Sequence, residues 1–315
     1  MSVTLSVVVP LYNEELVIDQ MYRRLTAVLE ASAESYEIVL VNDGSHDRTL
    51  ELAEALCGRD TRVKLIGFSR NFGHQIAITA GMDKSSGECV VIIDADLQDP
   101  PEVILRMLAM WRHEGYKIVY GVRQSRRGES WFKRTTAQLF YRLLRKLTSV
   151  EIPVDTGDFR LIDRAALGEF LKMREHARYV RGMVSWIGFK QGAVYYERDA
   201  RFAGETKYPL RKMVRFGLDG VFSFSHVPLR LASMFGFLSA GVSFVFMTYG
   251  LIVRDFFPAY SVPGWASMFS AVLFLGGVQL ICLGVLGEYV GRIYEEVKQR
   301  PLYVIEKQLN FSAPP

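Results

Sequence analysis

The stretch CVVIIDADLQDPPE at residues 89–102 is an apolar run that ends in two carboxylates, Asp94 and Asp96, with Gln98 and Asp99 close behind. A run this apolar and β-branched reads as a strand buried on both faces. Carboxylates at i and i+2 just beyond such a strand are costly unless a cation or hydrogen-bond donors compensate them. Hard, oxygen-preferring Mg²⁺ or Mn²⁺ would do so, because such ions commonly bridge carboxylates and substrate phosphates. An isolated Asp-x-Asp is a weak signal, and its place at a strand end is what gives it weight.

Outward from this stretch the same pattern repeats. LSVVV (5–9), YEIVLV (36–41) and VKLIGF (63–68) precede it as buried strands, and KIVYG (117–121) follows. The intervening segments carry helical apolar spacing, as in Leu16, Met21, Leu25, Val28 and Leu29. Such alternation predicts an α/β fold with a mostly parallel sheet covered on both faces. Ligands of open α/β sheets bind beyond the carboxyl ends of the strands. Polar clusters fall there after each of the first four: PLYNEE, NDGSHD, SRNFG and DADLQD. Tyr12 would stack on a base, while Asn13 and Glu14 would reach its edge or the sugar. Asp43 suits the donors of a nucleobase or ribose. Arg70 suits a phosphate contact, a brace on Asp43 and Asp94, or a structural ion pair. GxGxxG, GxxxxGK[ST] and GxSxG are all absent, so dinucleotide, P-loop and hydrolase-elbow readings have no support. The five histidines (His46, His74, His113, His176 and His226) form no ligand spacing and read as structural or exposed.

Composition divides the chain. Half of its 315 residues are hydrophobic and mean hydropathy is +0.11. Between residues 231 and 287 only Arg254 and Asp255 are charged, whereas the remainder has the charge density of an ordinary soluble protein. Residues 231–253 would make about 34 Å of helix, and a second span runs from about 265 to 287 after a loop containing Pro258 and Pro263. This is a helical hairpin with both ends on one side. Arg211, Lys212, Arg215, Arg230, Arg292, Lys298, Arg300 and Lys307 flank it, against Arg254 alone in the connection, which places both ends in the cytoplasm. The amino terminus lacks a signal-peptide pattern. Residues 1–206 thus read as a cytoplasmic catalytic domain and 291–315 as a cytoplasmic tail.

Two further segments are basic and amphipathic. Residues 207–226 set Leu210, Met213, Val214 and Leu218 against Lys207, Arg211, Lys212 and Arg215, and lead into the hairpin, which suits the plane of an anionic membrane. Residues 124–148 fit either such a surface or a helix packed on the domain with a solvated basic face. Cys57, Cys89 and Cys282 have no CxxC spacing, which excludes a disulfide framework and a structural zinc site. A net charge of +4 favours anionic partners.

Taken together, VVVPLYNEE, VNDGSHDRT, SRNFGHQIAITAG and DADLQDPPE resemble family 2 glycosyltransferases of the GT-A nucleotide-diphospho-sugar transferase fold. DTGDFRLIDR (155–164), RFAGETKY (201–208) and LGVLGEYVGRIYEEVKQRPLY extend the likeness to the dolichyl-phosphate mannose synthase and GtrB-type subgroup over nearly the whole chain. The resemblance implies transfer of a hexose from a nucleotide sugar to a polyprenyl phosphate, with inversion, in a bacterial inner membrane. UDP-glucose and undecaprenyl phosphate are the expected substrates. GDP-mannose, UDP-galactose, UDP-N-acetylhexosamine and a UDP-modified arabinose are the alternatives. It implies that Pro10, Tyr12, Asn13, Glu14, Asp43, Arg70 and Asp94 bind the nucleotide, and that Asp94, Asp96 and Gln98 hold the metal. Arg123, Arg126, Arg127, Lys133, Arg201 and Lys207 would meet the acceptor phosphate, and Asp158 resembles the family's proposed base. A phosphate monoester is already mostly dianionic at pH 7, however, so Asp158 is expected to position the acceptor or an arginine at least as much as to take a proton. Thr206 stands where the family often has serine, and the hydroxyl survives.

Other classes fit less well. A processive polysaccharide synthase would need a QxxRW motif, which is absent, and two spans are few for a polymer channel. A nonenzymatic membrane scaffold predicts loss of the paired carboxylates or of the basic loop, and both are retained. The anchor and the modest charge disfavour a nucleic-acid binder. Gly236, Gly241, Gly276, Gly277 and Gly284 in the spans would permit close helix packing, compatible with a homo-oligomer.

Overall fold

The computed structural model of the chain describes residues 3–124, 156–199, 227–256 and 264–311. Their order is β1 (Leu5–Leu11), α1 (Ile18–Ala31), β2 (Tyr36–Asn42), α2 (Thr49–Arg59), β3 (Val63–Phe68), α3 (His74–Lys84), β4 (Cys89–Ile92), α4 (Val103–Glu114) and β5 (Ile118–Arg123). Then come β6 (Thr156–Asp163), α5 (Arg164–Lys172), α6 (Val180–Trp186), β7 (Gln191–Tyr196), α7 (Val227–Phe256), α8 (Trp265–Val297) and β8 (Ile305–Leu309). Among the described residues, α7 and α8 form one compact unit, and all the other elements, β8 included, form another.

The catalytic unit is built on one eight-stranded sheet in the order β7-β5-β6-β4-β1-β2-β3-β8. β4, β1, β2 and β3 are mutually parallel, as the strand–helix alternation predicts. Every residue of β1, β2 and β4 is buried, which is why these strands read as unbroken apolar runs rather than alternating ones. Packing on the sheet is close: a Cβ on Gly81 of α3 would come 2.2 Å from a methyl of Val8 in β1.

The sheet is more mixed than expected. β6 enters antiparallel between β4 and β5 instead of leaving them as neighbours. All eight residues of TGDFRLID are buried, whereas half of β5 is only partly so, and the fully buried strand takes the inner position. A second difference lies at the carboxyl end. Residues 291–315 are not a simple tail, because α8 continues to Val297 and β8 then pairs antiparallel with β3, Leu65 opposite Leu309 and Phe68 opposite Ile305. The apolar face of β3 would otherwise end the sheet as an open edge.

In the other unit, α7 is long and apolar enough to cross a membrane over Val227–Phe246 and α8 over Phe274–Val297. The two helices touch, with the Cys282 thiol 3.3 Å from the Ala232 carbonyl. Almost none of either span is buried against protein, and Phe237 is 81% exposed. Such surface needs an apolar solvent. The basic segments 124–148 and 207–226, and the Pro258/Pro263 loop, lie outside the described residues apart from Gln124.

Candidate active site

The polar clusters of the first four loops meet at the carboxyl edge of the parallel strands. The loop after β1 is pinned to the loop after β2 by its own backbone. The Asn13 N–H donates to Ser45 Oγ (3.0 Å), the Glu14 N–H to Thr49 Oγ1 (2.8 Å), and Asn13 Oδ1 accepts from the His46 N–H (2.9 Å). Asn13 adopts φ 54°, a left-handed conformation that asparagine tolerates. The Tyr12 ring is half-buried and stands edge-on to His46. Pro10 is buried within β1, opposite Val41.

Asp43, 3% exposed at the end of β2, organises the loop after β3. Its carboxylate accepts from the Phe72 N–H (2.6 Å) and the Gly73 N–H (3.0 Å), and its carbonyl accepts from Asn71 Nδ2 (3.1 Å). Burial pushes its pKa up, against the pull of those two N–H groups. Gly44 is required here: it sits at φ 63°, and a Cβ would lie 2.5 Å from the Arg70 carbonyl carbon. Arg70 itself is exposed, its guanidinium 4.1 Å above the Phe72 ring.

The brace on Asp94 is His74, the first residue of α3, and not Arg70. His74 Nε2 lies 3.4 Å from Asp94 Oδ1 and 3.3 Å from Asp158 Oδ2. Of the five histidines read as structural or exposed, His74 is the one that reaches the strand-end carboxylates. Asp158 arrives because the antiparallel register that pairs Ile92 with Arg160, continued by two residues, sets it opposite Asp94. Its carboxylate also accepts from Gln75 Nε2 (3.0 Å) and faces Arg181 Nε (3.2 Å). Gln75 Oε1 in turn accepts from the Val180 N–H, so α3 and the start of α6 are tied through one amide (3.0 Å). Arg181 Nη1 donates to the Thr156 carbonyl (3.0 Å) and Arg160 Nη2 to that of Gly157 (2.9 Å).

The electrostatics separate the two carboxylates. Burial raises Asp94 to about 6, offset by His74 and reinforced by the nearby acids Asp158, Asp99 and Asp96. Burial would raise Asp158 as well, but Arg181, His74 and Arg160 outweigh it and hold this group far below the usual carboxylate range. Burial alone would lower His74; Asp94 and Asp158 instead push it up to about 9. Buried Arg160 is brought down to about 10 and stays charged at neutral pH. Asp158 is thereby kept ionised at neutral pH.

Asp96 is half-buried and accepts from the Gln98 N–H at 3.2 Å. Leu97 between them has φ 56°, a strained conformation for leucine of the kind that clusters at functional sites. Among the described residues no group of three or more His, Cys, Asp or Glu side chains is arranged around one metal position.

Arg123, expected at the acceptor phosphate, has a protein partner in the structure. Its guanidinium pairs with fully buried Asp99 (3.3 Å), which also accepts from the Tyr196 hydroxyl (2.6 Å) and has Arg198 at 3.8 Å. An uncompensated carboxylate at Asp99 would be too costly, and Arg123 answers it. Arg126, Arg127, Lys133, Arg201 and Lys207 lie outside the described residues. Arg181, Gln75 and His74 are the members that residue patterning missed; only HQ directly after SRNFG hinted at two of them.

Comparison with known proteins agrees with this geometry. The family model of glycosyl transferase family 2 matches residues 6–171, and that of the GtrB C-terminal hairpin matches residues 227–293. The uncharacterized glycosyltransferase YkcC of Bacillus subtilis is 54% identical, covering 96% of this chain and 93% of its own. The bactoprenol glucosyl transferase of Shigella phage SfII is 40% identical over 96% of this chain and 97% of its own. The prophage bactoprenol glucosyl transferase homolog of Escherichia coli is 39% identical, with coverage of 96% and 98%. Among solved structures, mannosyl-3-phosphoglycerate synthase from Rubrobacter xylanophilus shares the fold, with a TM-score of 0.50, 18% identity and coverage of 70% and 72%. The family model matching residues 6–171, with a relative 54% identical over 96% of the chain, makes this chain a member of glycosyl transferase family 2.

Proposed function

We propose that this enzyme transfers a hexose, glucose from UDP-glucose, to the phosphate of a membrane polyprenyl phosphate, undecaprenyl phosphate, and releases UDP. The observation that carries the reading is the strand-end pair Asp94 and Asp96, with His74, Asp158 and Arg181 gathered beside Asp94. The relatives named as bactoprenol glucosyl transferases, similar from the first strand through the hairpin, support the substrate pair.

In the reaction an oxygen of the lipid phosphate attacks the anomeric carbon from the face opposite the leaving group. The anomeric C–O bond to the nucleoside diphosphate breaks, its electron pair goes to the diphosphate, and the configuration inverts. Because the attacking phosphate is already mostly dianionic at neutral pH, no enzyme base has to take a proton. Asp158 instead holds Arg181 and His74 in place, and Arg181 suits the negative charge of an incoming phosphate. Asp43 and the Tyr12 ring would receive the nucleoside. Arg126, Arg127, Lys133, Arg201 and Lys207 remain the proposed partners of the lipid phosphate.

The donor set fits a divalent cation. Asp94 and Asp96 are hard oxygen ligands, and two carboxylates plus substrate phosphates is an ordinary arrangement for Mg²⁺ or Mn²⁺. The elevated pKa of Asp94 marks a desolvated charge that a cation would relieve. Bound there, the ion would supply charge neutralisation to the departing diphosphate. Gln98 would stand beside it.

A bacterial inner-membrane location, with the catalytic unit and both termini cytoplasmic, is supported by two features. The flanking charges are asymmetric, and β8 returns to the same sheet that precedes the hairpin. The test incubates purified enzyme, Mg²⁺ and undecaprenyl phosphate with a panel of labelled nucleotide sugars, counting label in the organic phase. Transfer from UDP-glucose, abolished by Asp96→Asn, is expected. Transfer from a different donor alone would replace the sugar, and labelled polymer would replace the reaction.

A further inference from the structure

We infer that Tyr303, contributed by the segment that follows the membrane hairpin, is a positioning residue for the nucleotide pocket. This rests on the reading of Asp43 and its loop as the nucleoside site.

The loop of residues 69–73 is the hinge of the whole site. On one side its backbone N–H groups are held by the Asp43 carboxylate, and at its end α3 begins with His74, which reaches Asp94 and Asp158. Support on the other side comes from the returning carboxyl-terminal segment. The Ser69 N–H donates to the Val304 carbonyl at 3.1 Å. The Tyr303 ring stacks on Phe68, centroids 5.3 Å apart and planes 19° apart, and Phe68 meets Phe72 edge-on at 5.5 Å. Phe72 is the residue whose N–H makes the 2.6 Å bond to Asp43. A continuous path of contacts therefore runs from Tyr303 through Phe68 and Phe72 to the pocket carboxylate.

Tyr303 is also fixed at its far end. Its hydroxyl donates to Asp83 Oδ2 (2.8 Å) in the last turn of α3, and Asp83 takes two bonds from Arg174 Nη1 (2.7 and 3.1 Å). One side chain thus touches the strand that leads into the loop and the end of the helix that leaves it. Any displacement of the 300–304 segment shifts the loop that carries both the Asp43 contacts and His74.

The experiment uses the full-length protein in detergent with Mg²⁺, measuring the Kd of UDP by calorimetry, the KM and kcat for the nucleotide sugar, and the unfolding temperature. Tyr303→Leu, which loses stack and hydroxyl, is expected to raise the Kd and KM about tenfold, with a smaller fall in kcat at saturating donor because His74 moves with the loop. Tyr303→Phe keeps the stack, loses only the anchor to Asp83, and is expected to raise both about threefold. Lys307→Ala removes a β8 ion pair with Glu54 of α2, outside the Tyr303–Phe68–Phe72 path, and should leave the Kd unchanged. An unchanged Kd in both Tyr303 variants, with only a lower unfolding temperature, would overturn the inference. An equal rise in Lys307→Ala would do so too, by assigning the effect to the strand as a whole. If the leucine variant does not fold, the phenylalanine variant decides. Absence of UDP binding in the unaltered enzyme would fell the nucleotide reading and this inference together, a result distinct from loss confined to the variants.

Discussion

Replacing Asp158 by asparagine separates a positioning role from a proton-accepting one. The side chain keeps its shape and can still meet Gln75, but the charge facing His74 at 3.3 Å and Arg181 at 3.2 Å disappears. At an effective dielectric of about 20, each of those attractions is worth about 5 kcal/mol before desolvation is subtracted. The net loss of stability on breaking such a buried arrangement is about 3–5 kcal/mol. Arg181 then keeps the Thr156 carbonyl but loses the Asp158 carboxylate beside its Nε. A misplacement on the order of 1 Å at a charge-stabilising group costs about 100-fold in rate. The assay is kcat against pH from about 5 to 9, normalised to folded enzyme by counting UDP-binding sites. Asp158 lies far below its usual range and does not titrate across that window. The acid limb, set by the second ionisation of the lipid phosphate and by Asp94 near 6, should therefore persist at a plateau about 100-fold lower. Disappearance of the acid limb in the variant would refute the reasoning and make Asp158 the base.

Other consequences are testable independently. Chelation should abolish transfer, with recovery on adding Mg²⁺ or Mn²⁺, and Asp96→Asn should not recover at any metal concentration; full activity in excess chelator would exclude the metal reading. Arg123→Ala should cost about 3 kcal/mol or more by leaving Asp99 buried and undercompensated, seen as a lower unfolding temperature. A normal unfolding temperature with a raised acceptor KM would return Arg123 to the acceptor site. His74, whose folded pKa is raised, contributes stability that is fully present below about pH 6.5 and lost as pH rises through about 9. His74→Gln should flatten that alkaline decline in thermal unfolding of metal-free enzyme, and an unaltered decline would show that another group governs it. Gly81→Val should destabilise by about 1–3 kcal/mol, because its side chain would overlap Val8.

Much of the architecture follows from local patterning. Buried strands announce themselves as unbroken apolar runs, so β1 to β4 and the polar clusters that follow them are readable one segment at a time. The two apolar helices are equally plain, since a long stretch almost without charge has few other fates. Asp94, Asp96 and Asp43 are legible because each stands immediately after such a strand.

Other features depend on which segments become neighbours. Periodicity reports how deeply a strand is buried but not what lies beside it, so neither the insertion of β6 between β4 and β5 nor the return of β8 to β3 is visible in the residues. That insertion alone brings Asp158 opposite Asp94, and it brings Arg181 and His74 to the same carboxylate from two different helices. Arg123 shows the converse. A basic residue in a basic stretch looks free for a phosphate until the fold buries Asp99 beside it. Burial can be read from a side chain and its neighbours in sequence, whereas the partner of a charge is set by contacts between residues far apart in the chain. For that reason the positions of the acids were legible from the chain, and their cationic partners became so only once it was folded.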